Sequence, residues 1–155
     1  MKGVYKAYLR KFFRVSILFT VWVGALAAQP DLVISKLILT RDGTGIFVDK
    51  ISVTITNVCR NTVAGTNYVL VTFKESDQAQ AKSLYFTGEA VKPLKGGESQ
   101  LRVFDVSQKK IVFGRYVIAE ADPYKKVAEA NEDNNWRSLF PDGAGTILSQ
   151  AQCAS

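Results

Sequence analysis

Gly114 to Trp136 reads GRYVIAEADPYKKVAEANEDNNW, and its first half settles a register. With Val117, Ala119 and Ala121 facing a core, Glu120 stays on the wet face. The opposite register would turn Tyr116, Ile118 and Glu120 inward and bury an unpaired carboxylate, which is costly. The inward set is therefore Val117, Ala119 and Ala121. Asp122-Pro123 then stops the strand. From Glu129 to Asn135, six oxygen-bearing side chains (Glu129, Asn131, Glu132, Asp133, Asn134, Asn135) fall in seven positions. Three readings compete for them: a cation site, a catalytic carboxylate pair, or the turn between two strands.

Working outward, short apolar runs alternate with turn residues, and no window keeps a helical period over eleven or more positions. Leu32 to Thr40 reads as the first strand, closed by Arg41-Asp42-Gly43-Thr44-Gly45. In Phe47 to Val58, Ile51, Val53 and Ile55 alternate with Ser52, Thr54 and Thr56, the mark of one buried and one solvated face. Thr66 to Lys74, Lys82 to Val91, Ser99 to Val106, Ile111 to Ala121 and Trp136 to Phe140 follow, with Pro93-Leu94-Lys95-Gly96-Gly97 as a turn. Seven short strands at this spacing predict an all-β fold, a single immunoglobulin-like antiparallel sandwich.

Residues 1–28 read as an export signal. Lys2, Lys6, Arg10, Lys11 and Arg14 form a basic start, Val15 to Ala28 is a fourteen-residue apolar run, and Ala25-Leu26-Ala27 suits a signal peptidase. The expectation is an exported protein, periplasmic, surface-bound or secreted; an uncleaved anchor is the alternative and the only membrane contact foreseen. The leader holds five of the twenty Lys and Arg, leaving fifteen against fourteen Asp and Glu, a net +1. So balanced a chain gives no support for a nucleic-acid partner. Cys59 and Cys153, the two cysteines of an exported chain, are expected to pair and to tether the tail, residues 142–155. A loop of that length stabilises by roughly 4 to 5 kcal/mol in the chain-entropy account.

The quoted stretch resembles the closing signature of CARDB domains, the cell-adhesion-related domains of bacterial and archaeal exported proteins. There a tyrosine-bearing strand runs into Asp-Pro and then Val-x-Glu-x-x-Glu-x-Asn-Asn. Here these are Asp122-Pro123, Val127, Glu129, Glu132, Asn134 and Asn135. Pro30-Asp31-Leu32-Val33-Ile34 is similar to the family's opening, Val53 to Asn57 with Ala64-Gly65 to its second strand and the following loop, and Leu94-Lys95-Gly96-Gly97-Glu98 to its Leu-x-x-Gly-Glu turn. The resemblance spans residues 30–141 and implies an immunoglobulin-like extracellular interaction module without catalysis. Cys59 and the tail depart from the pattern.

With no histidine in the chain, Ser-His-Asp and Cys-His chemistry and histidine metal sites are excluded. No glycine-rich phosphate loop opens a helix. An acid–base pair drawn from Glu120 or Asp122 with Glu129 or Glu132 is the one hydrolytic alternative, on a glycosidic bond. As a calcium site, Asp122, Glu129, Asn131, Glu132 and Asp133 would be the ligands, helped by Asn134 and backbone carbonyls. As a turn, the Asn and Asp side chains would bond local backbone, with Val127 dropped into the core and Glu129 accepting backbone N–H groups. No other cofactor is expected. Tyr85, Tyr124 and Trp136, with Tyr68, are the candidate interaction surface. The expected partner is an envelope or extracellular protein or glycan; a subunit assembling by strand addition, with the tail as the added strand, is the alternative.

Overall fold

The computed structural model describes residues 29–76, 78, 80–139 and 145–147. The expected signal segment and most of the tail, Cys153 included, lie outside them. Eight strands build two antiparallel sheets. One sheet orders β1 (Leu32–Arg41), β2 (Val48–Asn57) and β5 (Ser99–Asp105) as β1-β2-β5. The other orders β3 (Asn67–Lys74), β4 (Ser83–Val91), β6 (Tyr116–Ala121), β7 (Trp136–Leu139) and β8 (Gly145–Ile147) as β4-β3-β6-β7-β8. The all-β sandwich expected from the alternation is the fold found.

Alternation builds the core directly. Ile51, Val53 and Ile55 of β2 face Val69, Val71 and Phe73 of β3 and Val117, Ala119 and Ala121 of β6; each is buried, while Glu120 stays half-buried on the outer face. The register chosen for β6 is thus the one adopted. Loop residues Val63, Leu94 and Val127 plug the same core. Each fully buried aliphatic side chain contributes roughly 1.5 to 3 kcal/mol by leaving water.

The sixth strand is shorter than predicted. After a 3-10 turn, Ser107–Lys109, the chain takes positive φ at Lys110 and again at Gly114, which interrupts extended pairing. Ile111 is buried as a plug, and Val112 makes only an isolated bridge to Phe47. Regular pairing resumes at Tyr116. The tail contributes an eighth strand: β8 pairs antiparallel with β7 of its own chain, Leu139 opposite Gly145 and Arg137 opposite Ile147.

Two arginines lace the open sides of the sandwich. On one, Arg137 of β7 donates to the Ser35 carbonyl of β1. On the other, Arg102 of β5 donates to the Ala90 carbonyl of β4 at 2.7 Å and sits 3.7 Å from Glu89. The pairing sets two poles. One gathers the start of β1, the ends of β2, β4 and β6, and the starts of β3, β5 and β7; the other gathers the opposite ends.

Candidate functional site

Of the eight buried polar side chains among the described residues, seven (Asp31, Asn57, Asn67, Asp122, Glu129, Asn134, Asn135) belong to the first pole. Buried polar groups need partners, so the bonds made here show what each residue does.

Asp122 ends β6 with φ 43°, in the left-handed region that aspartate tolerates better than most residues. Its N–H bonds the Tyr68 carbonyl at 2.8 Å, its carbonyl accepts Lys125 N–H at 2.9 Å, and its Oδ2 accepts Val127 N–H at 2.6 Å. One residue thereby stops the strand, closes the turn and lowers Val127 into the core. Two residues further on, Glu129 is 6% exposed: its Oε2 accepts Leu32 N–H at 2.6 Å and its Oε1 accepts Asn135 Nδ2–H at 3.0 Å. Glu132 Oε1 accepts Glu129 N–H at 3.1 Å, and Asn131 Oδ1 accepts Asp133 N–H at 3.0 Å. Ala130 N–H bonds the Pro30 carbonyl, and Asn134 Nδ2–H reaches Asp31 Oδ2, both bonds tying the loop to the opening residues of the domain.

Asn57 does the same work from the other sheet. Its Oδ1 accepts Asp31 N–H and Cys59 N–H, and its Nδ2 donates to the Asn61 and Leu94 carbonyls. Its backbone carbonyl takes Gly97 N–H at 2.8 Å. Gly96 sits so close that a Cβ would lie 2.2 Å from the Arg60 carbonyl oxygen, so only glycine fits.

The electrostatics of the pole centre on Glu129. Burial drives its pKa up from 4.5 to about 8; the Leu32 N–H bond opposes the rise, and the charges of Glu132, Asp122 and Asp31 add to it. Burial also raises Glu120, with Lys125 pulling the other way.

Four of the five residues predicted as cation ligands also hold the backbone. Asp122, Glu129, Asn131 and Glu132 each accept a backbone N–H, and Asp133 is exposed. Among the described residues no group of three or more acidic or cysteine side chains is placed to hold a metal ion. Several oxygens of the pole nevertheless have no hydrogen-bond partner: Asp122 Oδ1, Glu132 Oε2, Asn134 Oδ1 and Asn135 Oδ1. Sequence reasoning passed over Asp31, Asn57 and Asn67 as site residues; only strand pairing brings them to this pole. Cys59 is buried beside Asn57, while Cys153 lies outside the described residues.

The four aromatics of the predicted surface divide between the poles, Tyr85 on one side and Tyr68, Tyr124 and Trp136 on the other. Tyr85 packs its ring 6.3 Å from Phe73 toward the second pole, while Tyr124, 62% exposed, meets Tyr68 edge-to-face at 5.9 Å on the first. Lys126 Nζ sits over both of the latter rings, at 5.3 and 5.7 Å. Trp136 is half-buried and pairs across from Glu120.

The CARDB family model matches residues 29–139. Among solved structures, a domain of a protein described as a cell surface protein of Methanosarcina acetivorans is 19% identical with a TM-score of 0.54, covering 79% of this chain and 95% of its own. The CARDB domain of a Pyrococcus furiosus protein, solved in complex with di-metal ions, is 20% identical with a TM-score of 0.52, covering 72% and 85%. Both likenesses are of fold. No curated protein matches the chain in sequence.

Proposed function

The chain belongs to the CARDB family, and from that membership we propose that it acts as an exported, non-catalytic module that engages an extracellular or envelope protein or glycan in an adhesion-related role. The observation that carries this reading is the use of the carboxylates. Glu129 is sealed from solvent with both oxygens engaged, and Asp122 spends Oδ2 on Val127 N–H. A general acid or base must reach a substrate proton, and these groups face backbone instead. The first pole serves as a rigid clasp beneath exposed loops that carry Tyr124, Lys125 and Lys126. A Cys59–Cys153 tether fits this plan: Cys59 is buried, no cysteine among the described residues is free, and β8 runs back from Leu139 toward the pole where Cys59 lies.

A divalent cation at the same pole is the second reading, favoured by the unpartnered oxygens of Asp122, Glu132, Asn134 and Asn135; the Pyrococcus domain was solved in complex with di-metal ions. Calcium would draw on these oxygens and on backbone carbonyls. Thermal melts in chelator and across a calcium titration separate the two readings. A saturable rise in melting temperature, abolished in a Glu132→Gln/Asp133→Asn variant, establishes the cation site. Superimposable melts leave a clasp held by hydrogen bonds alone. For the module itself, the test is saturable retention by envelope proteins or glycans. Retention lost on substituting exposed loop residues, with the melt unchanged, supports it; no retention on any of them sinks it.

A further inference from the structure

At the second pole, between the start of β4 and the 109–115 connection, lies a cleft of about 260 Å³. Leu84, Ile111 and Val112 supply aliphatic walls; Lys109, Lys110 and Arg115 supply three exposed cations, and none of its described lining residues is acidic. Among the described residues none of these three cations is in an ion pair. Among the described residues the only salt bridge is Arg102 with Glu89, whereas Lys109 Nζ rests 5.6 Å over the Tyr85 ring and Lys110 Nζ 5.5 Å over Phe47. Rings are weak partners for exposed ammonium groups, so a carboxylate entering the cleft would find three cations to pair with. Lys110 also holds φ 50°, an unfavourable conformation for a non-glycine residue that places its cation on the cleft wall.

The adjoining edge is open. Ala90 turns its carbonyl away from β3, since Arg102 is its partner. By the alternation of an antiparallel ladder, Phe86 and Gly88 turn their N–H and C=O groups the same way. Phe86 is 69% exposed on this edge, and Leu84, further along it, is already a cleft wall. The fourth apolar lining residue, Tyr85, has Lys109 over its ring, so the walls offered are mainly aliphatic and suit aliphatic side chains, while a free edge suits an extended backbone.

We propose that this cleft and the adjoining β4 edge bind an extended peptide bearing a carboxylate beside aliphatic side chains. The proposal rests on the reading of the chain as an interaction module and names the chemistry of one partner. It is tested by calorimetric titration of the full chain with a blocked Val-Glu-Val-Glu-Val peptide, a Val-Gln-Val-Gln-Val control and an oligogalacturonate. Saturable binding of the Glu peptide is expected. It should weaken at least tenfold in the Gln control, in Lys109→Glu/Arg115→Glu and in high salt, and remain unchanged in Lys36→Glu on β1. Lys110→Gly provides a variant that relieves the positive φ, so it folds at least as well as the parent while losing affinity several-fold. No binding of the Glu peptide, equal binding of the Gln peptide, or indifference to the three cations overturns the proposal. Tighter binding of oligogalacturonate overturns the peptide as occupant. A partner captured through other loops by the charge-reversed protein would sink the cleft while leaving the module reading intact.

Discussion

The two poles of the sandwich are both built from irregular connections, yet they are held in opposite ways. At the first, hydrogen bonds join residues far apart in sequence: Asn57 to Asp31 across 26 positions, Glu129 to Leu32 across 97 and Asn134 to Asp31 across 103. At the second, side chains bond locally. Asp42 takes Thr44 and the Phe47 N–H, and Asp105 takes Ser107, over two to five positions, and these bonds hold both carboxyls below the usual carboxylate range. A bond closed across a hundred residues exists only in the folded state, whereas a local turn bond can persist in the unfolded chain and so contributes little to the difference. Damage at the first pole is expected to be global, and damage at the second local.

The largest expected effect is at Asn57. Asn57→Ala removes the side chain that accepts the Asp31 and Cys59 N–H groups and donates to the Asn61 and Leu94 carbonyls, of which the last keeps Val63 N–H; a loss of about 3 kcal/mol in denaturant unfolding is expected from four buried or part-buried bonds broken at once. A loss no greater than that of Asp42→Ala would erase the distinction between the poles.

Next comes the pH dependence of Glu129. Because its folded pKa stands near 8, above its ordinary 4.5, the native state retains a proton that the unfolded chain releases. Its favourable contribution is full below pH about 4.5 and is lost as pH rises toward 8. Melting temperature should therefore fall across that window, and Glu129→Gln should flatten the slope. An unchanged slope in the variant would remove Glu129 as its source.

Asn67 sharpens the comparison from within the first pole. It is as buried as Asn57, but neither of its side-chain polar atoms has a hydrogen-bond partner. Asn67→Leu is expected to raise stability by about 1 kcal/mol, since an apolar group of similar shape ends the desolvation penalty. A loss of stability would mean that a bound water satisfies the amide. The smallest effect is expected for Asp42→Ala, a slight drop in melting temperature with no change in unfolding cooperativity.

Much of this is legible in the sequence. The alternation in β2 and the cost of burying Glu120 were enough to place the core faces and the β6 register. The VAEANEDNNW stretch had the composition of a compact connection, and it is one, with Val127 as its plug and Glu129 accepting a backbone N–H. The overextended sixth strand failed for a reason no hydropathy pattern carries: Ile111 is apolar because it plugs the core, and the positive φ of Lys110 and Gly114 breaks the run. Tyr85 parts from Tyr124 because the two lie toward opposite poles, a separation that depends on strand pairing.

Sequence alone determined most of the strands, the apolar face of each and most of the turns between them, because these follow from local period and turn chemistry. Tertiary structure decided which polar residues meet. Asp31, Asn57, Glu129 and Asn134 become neighbours only once β1 pairs with β2, β6 pairs with β7 and the sheets close. Their bonds span 26 to 103 positions and depend on how whole strands pair, information no local window contains.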